Sequence, residues 1–283
     1  MSKKLSSPAF CLLVLLAVPA ARAEELPKWE LGVGAGGVMV PDYKGSDQTR
    51  YLAMPFPYFA YRLDWLDADR DGVRAKFFDS DRIELNLSAD GSAPLRRNHN
   101  RAREGMPGLD YILEVGPSLD VNIWKSPRKT RQLKLVMPVR QAFKMEGGIR
   151  STGWTFSPHL DFDFAGLGRP DGSKEGWHLN LQAGPMFADR RYNAHFYDVA
   201  EEYVRADRSA YRSRGGYAGS QFQTSISRRF GSVSVGAYAE YDYLRGAVFD
   251  DSPLMKRRSN IGGGIFMSWT LMQSNEYVST TGM

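Results

Sequence analysis

Residues 154–164 read WTFSPHLDFDF, and residues 111–123 read YILEVGPSLDVNI. In the first stretch Trp154, Phe156, Pro158, Leu160, Phe162 and Phe164 alternate with Thr155, Ser157, His159, Asp161 and Asp163. In the second, Tyr111, Leu113, Val115, Pro117, Leu119, Val121 and Ile123 alternate with Ile112, Glu114, Gly116, Ser118, Asp120 and Asn122. Residues 177–187 repeat the pattern, with His178, Asn180 and Gln182 set between large apolar side chains. A period of two belongs to an extended strand, whose successive side chains point to opposite faces. The alternating stretches run about 10 to 14 residues, whereas strands of soluble proteins usually have about five or six. A tilted strand crossing a bilayer needs roughly 9–11. Aromatic residues cap the apolar face at strand ends, among them Trp29, Tyr111, Trp154, Trp177, Tyr241, Tyr243 and Trp269. That placement suits a girdle at the membrane interface. The expected fold is all-β: a transmembrane antiparallel β-barrel. The competing architecture is a large secreted β-sandwich, whose strands would be shorter.

The rest of the chain agrees. Its mean hydropathy of −0.41 excludes a helical membrane protein, but alternating strands average to a polar composition and are not excluded. The one cysteine, Cys11, excludes a disulfide scaffold, a Cys-based zinc site and an iron–sulfur cluster. Residues 1–23 carry Lys3 and Lys4, an apolar run from Ala9 to Val18, and a small-x-small end at Ala21-Arg22-Ala23. This is the layout of a cleaved secretory signal peptide. The expected organisation is a signal at 1–23, a barrel over 24–271 and a C-terminal tail at 272–283. Loss of Lys3, Lys4 and Arg22 lowers Lys+Arg from 37 to 34 against 32 Asp+Glu, a net charge of +2. Nucleic acid is therefore not an expected partner.

Clear strands lie near 29–40, 51–61, 73–78, 82–90, 109–124, 132–143, 151–165, 176–188, 217–228, 232–244 and 259–271. Bacterial barrels have an even number of strands, with long loops at one end and short turns at the other. With both termini periplasmic, the long connections 91–108, 189–216 and 245–258 fall outside, and the short ones 125–131, 166–175 and 229–231 inside, only if an odd number of strands precedes residue 91. A further short strand is therefore fitted at 63–69. Twelve strands are expected, with ten as the alternative if that weak hairpin is a folded loop. Pro55, Pro57, Pro117, Pro138, Pro158 and Pro185 are expected at bulges or strand ends.

Several motifs resemble chemistry. Gly32-Val33-Gly34-Ala35-Gly36-Gly37 matches G-x-G-x-x-G, but the glycines alternate within a strand and Pro41 stands where a helix should follow. No cofactor is expected; small residues here leave lumen space for a loop or neighbouring side chains. Asp67-Ala68-Asp69-Arg70-Asp71-Gly72 copies half of a calcium loop, yet its twelfth position is Phe78 rather than Glu. No histidine pair has metal-ligand spacing. His159, Asp161, Asp163 and His178 lie on adjacent strands and, with Ser157, permit a Ser/His/Asp lipid hydrolase as one alternative. Lumen polarity accounts for them without catalysis. The inward set Glu114, Asp120, Asp161, Asp163, Glu240 and Asp242 outweighs Lys134 and Arg140, which would favour cations in an open channel. Basic clusters at Arg96, Arg97, Arg101 and Arg103, and at Arg205, Arg208, Arg212 and Arg214, read as solvated loop charge, with lipopolysaccharide phosphates as the functional alternative.

Beyond the alternation, the first strand leads into Pro41-Asp42-Tyr43-Lys44-Gly45-Ser46. Near the end, Leu244-Arg245-Gly246-Ala247 leads to Asp251-Ser252-Pro253-Leu254 and a Gly-rich last strand, Ile261-Gly262-Gly263-Gly264-Ile265-Phe266. On these residues the chain resembles the MipA/OmpV family of outer-membrane proteins, with Pro41, Tyr43, Gly45, Ser46, Gly246, Ser252 and Pro253 as the matching positions. It departs from the usual family pattern at Ala247, where an Asp is common, and in ending its last strand well before the C-terminus. The resemblance implies a barrel in contact with outer-membrane lipids. For better-known members it also implies a non-enzymatic scaffold joining a lytic transglycosylase to a bifunctional murein synthase. The accessible basic turn Lys125-Ser126-Pro127-Arg128-Lys129-Thr130-Arg131 is the candidate docking point, through Lys125, Arg128, Lys129 and Arg131.

Overall fold

A computed structural model describes residues 25–62, 66–69, 72–80, 82–92, 99–128, 130–145, 148–169 and 176–279. The segment expected to be a signal peptide lies outside the described residues. Twelve antiparallel strands run in chain order: β1 (Trp29–Pro41), β2 (Thr49–Arg62), β3 (Leu66–Asp69), β4 (Gly72–Asp79), β5 (Ile83–Ser92), β6 (Ile112–Lys125) and β7 (Arg131–Lys144). There follow β8 in two halves (Arg150–Phe156 and His159–Leu167), β9 (Trp177–Ala188), β10 (Gly216–Phe230), β11 (Val233–Tyr243) and β12 (Ser259–Gln273). Both halves of β8 pair with β7 and with β9, so they act as one strand. Each strand pairs with the next, and β12 pairs back onto β1, with Trp269 opposite Val33. That last pairing closes the cylinder.

Burial is inverted relative to a soluble protein. Along β6, Glu114, Ser118 and Asp120 are buried while Leu119, Ile123 and Trp124 are exposed. Along β12, Asn260 and Ser268 are buried while Ile261, Ile265, Met267, Trp269 and Leu271 are exposed. The apolar face points outward around the cylinder and the polar face into it, as a membrane barrel requires. Neighbouring strands thus satisfy one another's backbone polar groups around the cylinder, except along residues 49–60, which are paired on one side among the described residues.

The expected strand at 63–69 is present as Leu66–Asp69, paired with Arg62 of β2 and with β4. Residues 63–65 lie outside the described residues, as do Arg70 and Asp71 of the half calcium loop. Four prolines sit where the ladder breaks. Pro158 lies at the interruption of β8, Pro185 just before a register shift in β9, and Pro117 and Pro138 at a gap in the β6–β7 ladder. Pro55 and Pro57 do not: they pair in unbroken register with Ala35 and Val33. On its other side β2 pairs only at Tyr61 and Arg62. Residues 49–60 are therefore a one-sided strand among the described residues, where a missing N–H removes no ladder bond. The last strand also outruns its expected end. A register shift between Thr270 and Met272 carries it to Gln273, and Tyr277–Ser279 then pairs with Glu25–Pro27. Lys28 and Glu276 join this strap through a 2.9 Å ion pair.

The hydrophobic core lies over the long-loop end rather than inside the cylinder. Tyr43, Met106, Leu109, Phe196, Val199, Phe249 and Leu254 are buried there against strand-end residues such as Ile112, Ala142 and Ala188. Tyr197 stacks on Phe249 with ring centroids 3.8 Å apart. The helix α1 (Arg190–Tyr197) is started by Asp189, whose carboxylate accepts the Tyr192 N–H at 2.8 Å. Two of the expected solvated arginines instead organise this cap. Arg103 donates to the Phe196 carbonyl at 2.7 Å, and Arg208 to those of Ala102 and Glu104 at 2.9 and 3.0 Å. A buried loop carbonyl needs a donor, and a guanidinium supplies several from one side chain. Arg101 pairs with Asp47 and Arg205 with Glu104, whereas Arg212 and Arg214 are exposed. Arg96 and Arg97 lie outside the described residues.

Two outcomes are expected. Ile265 is 69% exposed near the middle of β12, so Ile265→Arg should lower folding stability in bilayers by about 2–4 kcal/mol. Tyr51→Arg, at the long-loop end of β2, should cost about 0–1 kcal/mol; equal costs would contradict the assigned depth. Second, burial pushes the His195 imidazole in α1 down to about 4, against the opposing pull of Asp110 and with help from Arg103 and Lys144. An unfolded histidine titrates near ~6.5, so below that pH the unfolded cap takes up a proton that the folded cap refuses. Cap stability should hold above about pH 6.5 and fall toward pH 4, by at most about 1.4 kcal/mol per unit. Hydrogen-exchange protection factors over residues 189–215, taken against the intrinsic rate at each pH, should fall between pH 7 and 5 in the wild type and much less in His195→Gln. An equal slope in both would contradict it.

Candidate functional site

The barrel interior holds several polar clusters, each spanning two or three consecutive strands. On β8 and β9, Asp161 accepts from Asn180 at 2.9 Å and Gln182 at 3.0 Å, and Asp163 meets His178 at 2.6 Å. On β5 to β7, Asp120 accepts from Ser118 at 2.6 Å and Asn86 at 3.0 Å, while Lys134 lies 3.7 Å from Glu84. Arg140 donates to Ser88 at 2.8 Å and pairs with Asp90 at 3.3 Å. Glu114, at the long-loop end, accepts from Thr155 at 2.6 Å and from Tyr192 of α1 at 2.7 Å. The residues read as lumen candidates fall into separate clusters rather than around one centre. Register explains this: Asp161 stands opposite Lys134 and Gln182, and Glu240 opposite Gln223.

No catalytic triad is assembled from Ser157, His159 and Asp161. His159 Nδ1 lies 2.8 Å from the Ser157 backbone oxygen, whereas the Ser157 hydroxyl accepts from Arg140 at 3.4 Å. Asp161 is held by its two amide donors instead. The glycine motif of β1 is likewise packing. A Cβ at Gly34 would stand 2.4 Å from the Phe56 ring, which fills the lumen there, and Gly236 is covered in the same way by Phe266.

The family-like residues converge on the cap. Tyr43 donates to the Leu254 carbonyl at 2.8 Å, and Ser252 to the Tyr197 carbonyl at 3.0 Å. Tyr197 in turn donates to the Lys44 carbonyl at 2.9 Å. Gly45, at φ +92°, donates its N–H to Asn260, and its carbonyl receives the N–H groups of Lys256 and Arg257. A side chain at Gly45 would collide with Met255. Ser46 is buried and accepts from Asn100 at 3.0 Å. Pro41 ends β1, Gly246 turns the last long loop at φ +75°, and Pro253 precedes the buried Leu254. Two motifs 200 residues apart in the chain are thus one structure, the stitched lid of the barrel.

Lys44 was not among the lumen candidates, yet it joins lid to lumen. Its ammonium lies 2.8 Å from Asp242 and 3.7 Å from Glu240 on β11. Burial works against its charge, but Asp242 and Glu240 outweigh that and hold the amine protonated, with its pKa raised. Glu30 was also missed. It is fully buried near the short-turn end, where it receives Arg229 at 2.8 and 2.9 Å, Tyr58 at 3.3 Å and Thr270 at 3.2 Å. The alternation of β1 places Glu30 inward; nothing local announces its partner 199 positions away. At the same end the basic turn is ordered by Ser126, whose hydroxyl accepts the N–H groups of Thr130 and Arg131 at 3.1 Å. Lys125, Arg128 and Arg131 are exposed there, and Lys129 lies outside the described residues.

Comparison with solved structures finds barrels of distant sequence. One, described as a bacterial polysaccharide outer membrane secretin, matches at 10% identity and a TM-score of 0.40, covering 86% of this chain and 98% of that one. The outer membrane protein OprG from Pseudomonas aeruginosa matches at 9% identity and 0.23, covering 88% and 95%. The Ralstonia pickettii toluene transporter TbuX matches at 9% and 0.23, covering 88% and 70%. These values are too low to carry an argument. No curated protein matches the sequence. The family model described as MltA-interacting protein MipA matches residues 33–271, which takes in nearly the whole barrel and both lid motifs. The chain belongs to the MipA family, and its twelve-stranded cylinder is an outer-membrane β-barrel.

Proposed function

We propose that this protein is a non-enzymatic anchor of the outer membrane, a barrel stoppered by its own loops that holds murein enzymes at its short-turn end. The reading rests chiefly on the Lys44 contact. The lid is stitched to itself and pinned to the lumen wall through Asp242 and Glu240, which supports a stoppered long-loop end. What stays accessible is the periplasmic rim, where Lys125, Arg128 and Arg131 project and Arg82 and Arg169 are exposed as well. A basic rim favours a partner with an acidic surface. The family's name speaks of a lytic transglycosylase, and a bifunctional murein synthase completes the scaffold that the family resemblance implies.

The second reading is a cation-preferring channel, favoured by the excess of interior carboxylates over Lys44, Lys134, Arg140 and Arg229. Planar-bilayer recording separates the two. The wild type should show no steady conductance, and Lys44→Met, which leaves Asp242 and Glu240 without their cation, should produce intermittent openings selective for cations. Steady wild-type conductance at the nanosiemens scale would establish the channel instead. For the anchor, a pull-down from envelope extract compares wild type with the triple variant Lys125→Gln, Arg128→Gln, Arg131→Gln. At least a tenfold loss of transglycosylase and synthase is expected, and equal recovery would reject the turn as the docking point.

A further inference from the structure

On the outward face of β8 to β12 the aromatic and aliphatic wall is broken by small residues. Ala183, Thr224 and Ala239 stand between Leu160, Leu181 and Phe222, and the depression they leave has a volume of about 650 Å³ with an almost wholly apolar lining. Cross-strand register makes the floor continuous, because Thr224 of β10 faces Ala239 of β11 and Ala183 of β9 faces Phe222 of β10. A second concavity of about 620 Å³ opens at the long-loop end of β11 and β12. Its mouth carries Arg245, Arg257 and Arg258, and it shares Tyr241 and Ile261 with the apolar depression. The two are therefore one elongated site: a cationic head above an acyl-sized trough.

The charges at the head are not equivalent. Arg258 is compensated by Asp250, 2.6 Å away. Arg245 and Arg257 are exposed and have no acidic partner among the described residues. This sets them apart from Arg101, Arg103, Arg205 and Arg208, which the lid consumes in ion pairs and carbonyl contacts. The lid also fixes the backbone at Arg257, whose N–H donates to the Gly45 carbonyl at 3.0 Å. Two uncompensated guanidinium groups at headgroup level present forked donors that match phosphate oxygens. The trough below them accepts hydrocarbon and rejects a polar chain.

We infer that this face binds a phosphorylated, multiply acylated glycolipid of the outer leaflet, with its phosphates on Arg245 and Arg257 and an acyl chain in the Ala183–Thr224–Ala239 trough. The inference requires the long-loop end to face outward and is independent of any murein partner. Zwitterionic phospholipid fills the trough equally well but leaves the two guanidinium groups without a net counter-charge.

Native mass spectrometry of the full-length protein in mild detergent, titrated with bis-phosphorylated lipid A, tests it. The wild type should hold one glycolipid. Arg245→Gln with Arg257→Gln should weaken retention about tenfold, and Ala239→Trp, which fills the trough and leaves both arginines, should weaken it as well. Arg128→Gln at the opposite rim should change nothing, and heat-modifiable gel mobility should confirm that each variant is folded. Unchanged retention in the double variant, an equal loss in Arg128→Gln, displacement by millimolar inorganic phosphate, or equal binding of phosphatidylethanolamine would each overturn the inference.

Discussion

In hydrocarbon a strand has no water to pair its N–H and C=O groups, so each ladder must be completed by another strand. The closing pair of β1 with β12, from Met39 opposite Gly263 to Glu30 opposite Gln273, meets that demand at the seam where the first and last strands would otherwise be edges. Everything else in the molecule follows from it. Closure forces one face of every strand outward, where Ile265 and Trp269 meet lipid, and the other inward, where the polar residues must satisfy one another. The interior clusters are the consequence of that second condition. Asp161 takes Asn180 and Gln182 from the adjacent strand, Asp120 takes Ser118 from its own strand and Asn86 from the adjacent one, and Glu30 takes Arg229 from across the lumen.

A polar interior cannot also serve as the hydrophobic core, so the core has moved to the mouth. The loops that sequence reading treats as solvated connections carry Met106, Leu109, Phe196, Phe249 and Leu254, and bury them together. Arg103 and Arg208 stand inside this assembly because non-regular loop backbone leaves carbonyls that only a side-chain donor can reach. Lys44 then couples lid to wall. The Lys44 side chain is 36% exposed, so its pair with the buried Asp242 is partly screened and adds little net stability. It therefore fixes where the lid sits more than how tightly the barrel holds.

The residues show why some of this was legible in the chain and some was not. Strand identity, face and number follow from local alternation and an end-to-end parity argument, which located even the four-residue strand at Leu66–Asp69. The same alternation put Asp163 beside His178, since their strands are consecutive. Pro55 and Pro57 defeated the local rule, because whether a strand has a partner on both sides is a property of the sheet. The lid was invisible for a related reason. Tyr43 meets Leu254 across 211 positions, and no periodicity connects a tyrosine in a six-residue motif to a carbonyl in another loop. The motifs marked a family; only the fold reveals that they are two halves of one closure.

The central claim is that side chains alternate between lipid and a packed polar interior along each strand. It is tested most directly by nitroxide labels placed singly at residues 265–270 of β12 in bilayers, where oxygen collision reports contact with hydrocarbon. The sole cysteine, Cys11, lies within the segment expected to be cleaved, so single labelling sites are readily made. Labels at 265, 267 and 269 should be mobile and oxygen-accessible, and those at 266, 268 and 270 immobilised and shielded. Uniform accessibility across the six positions, or the opposite phase, would contradict the account.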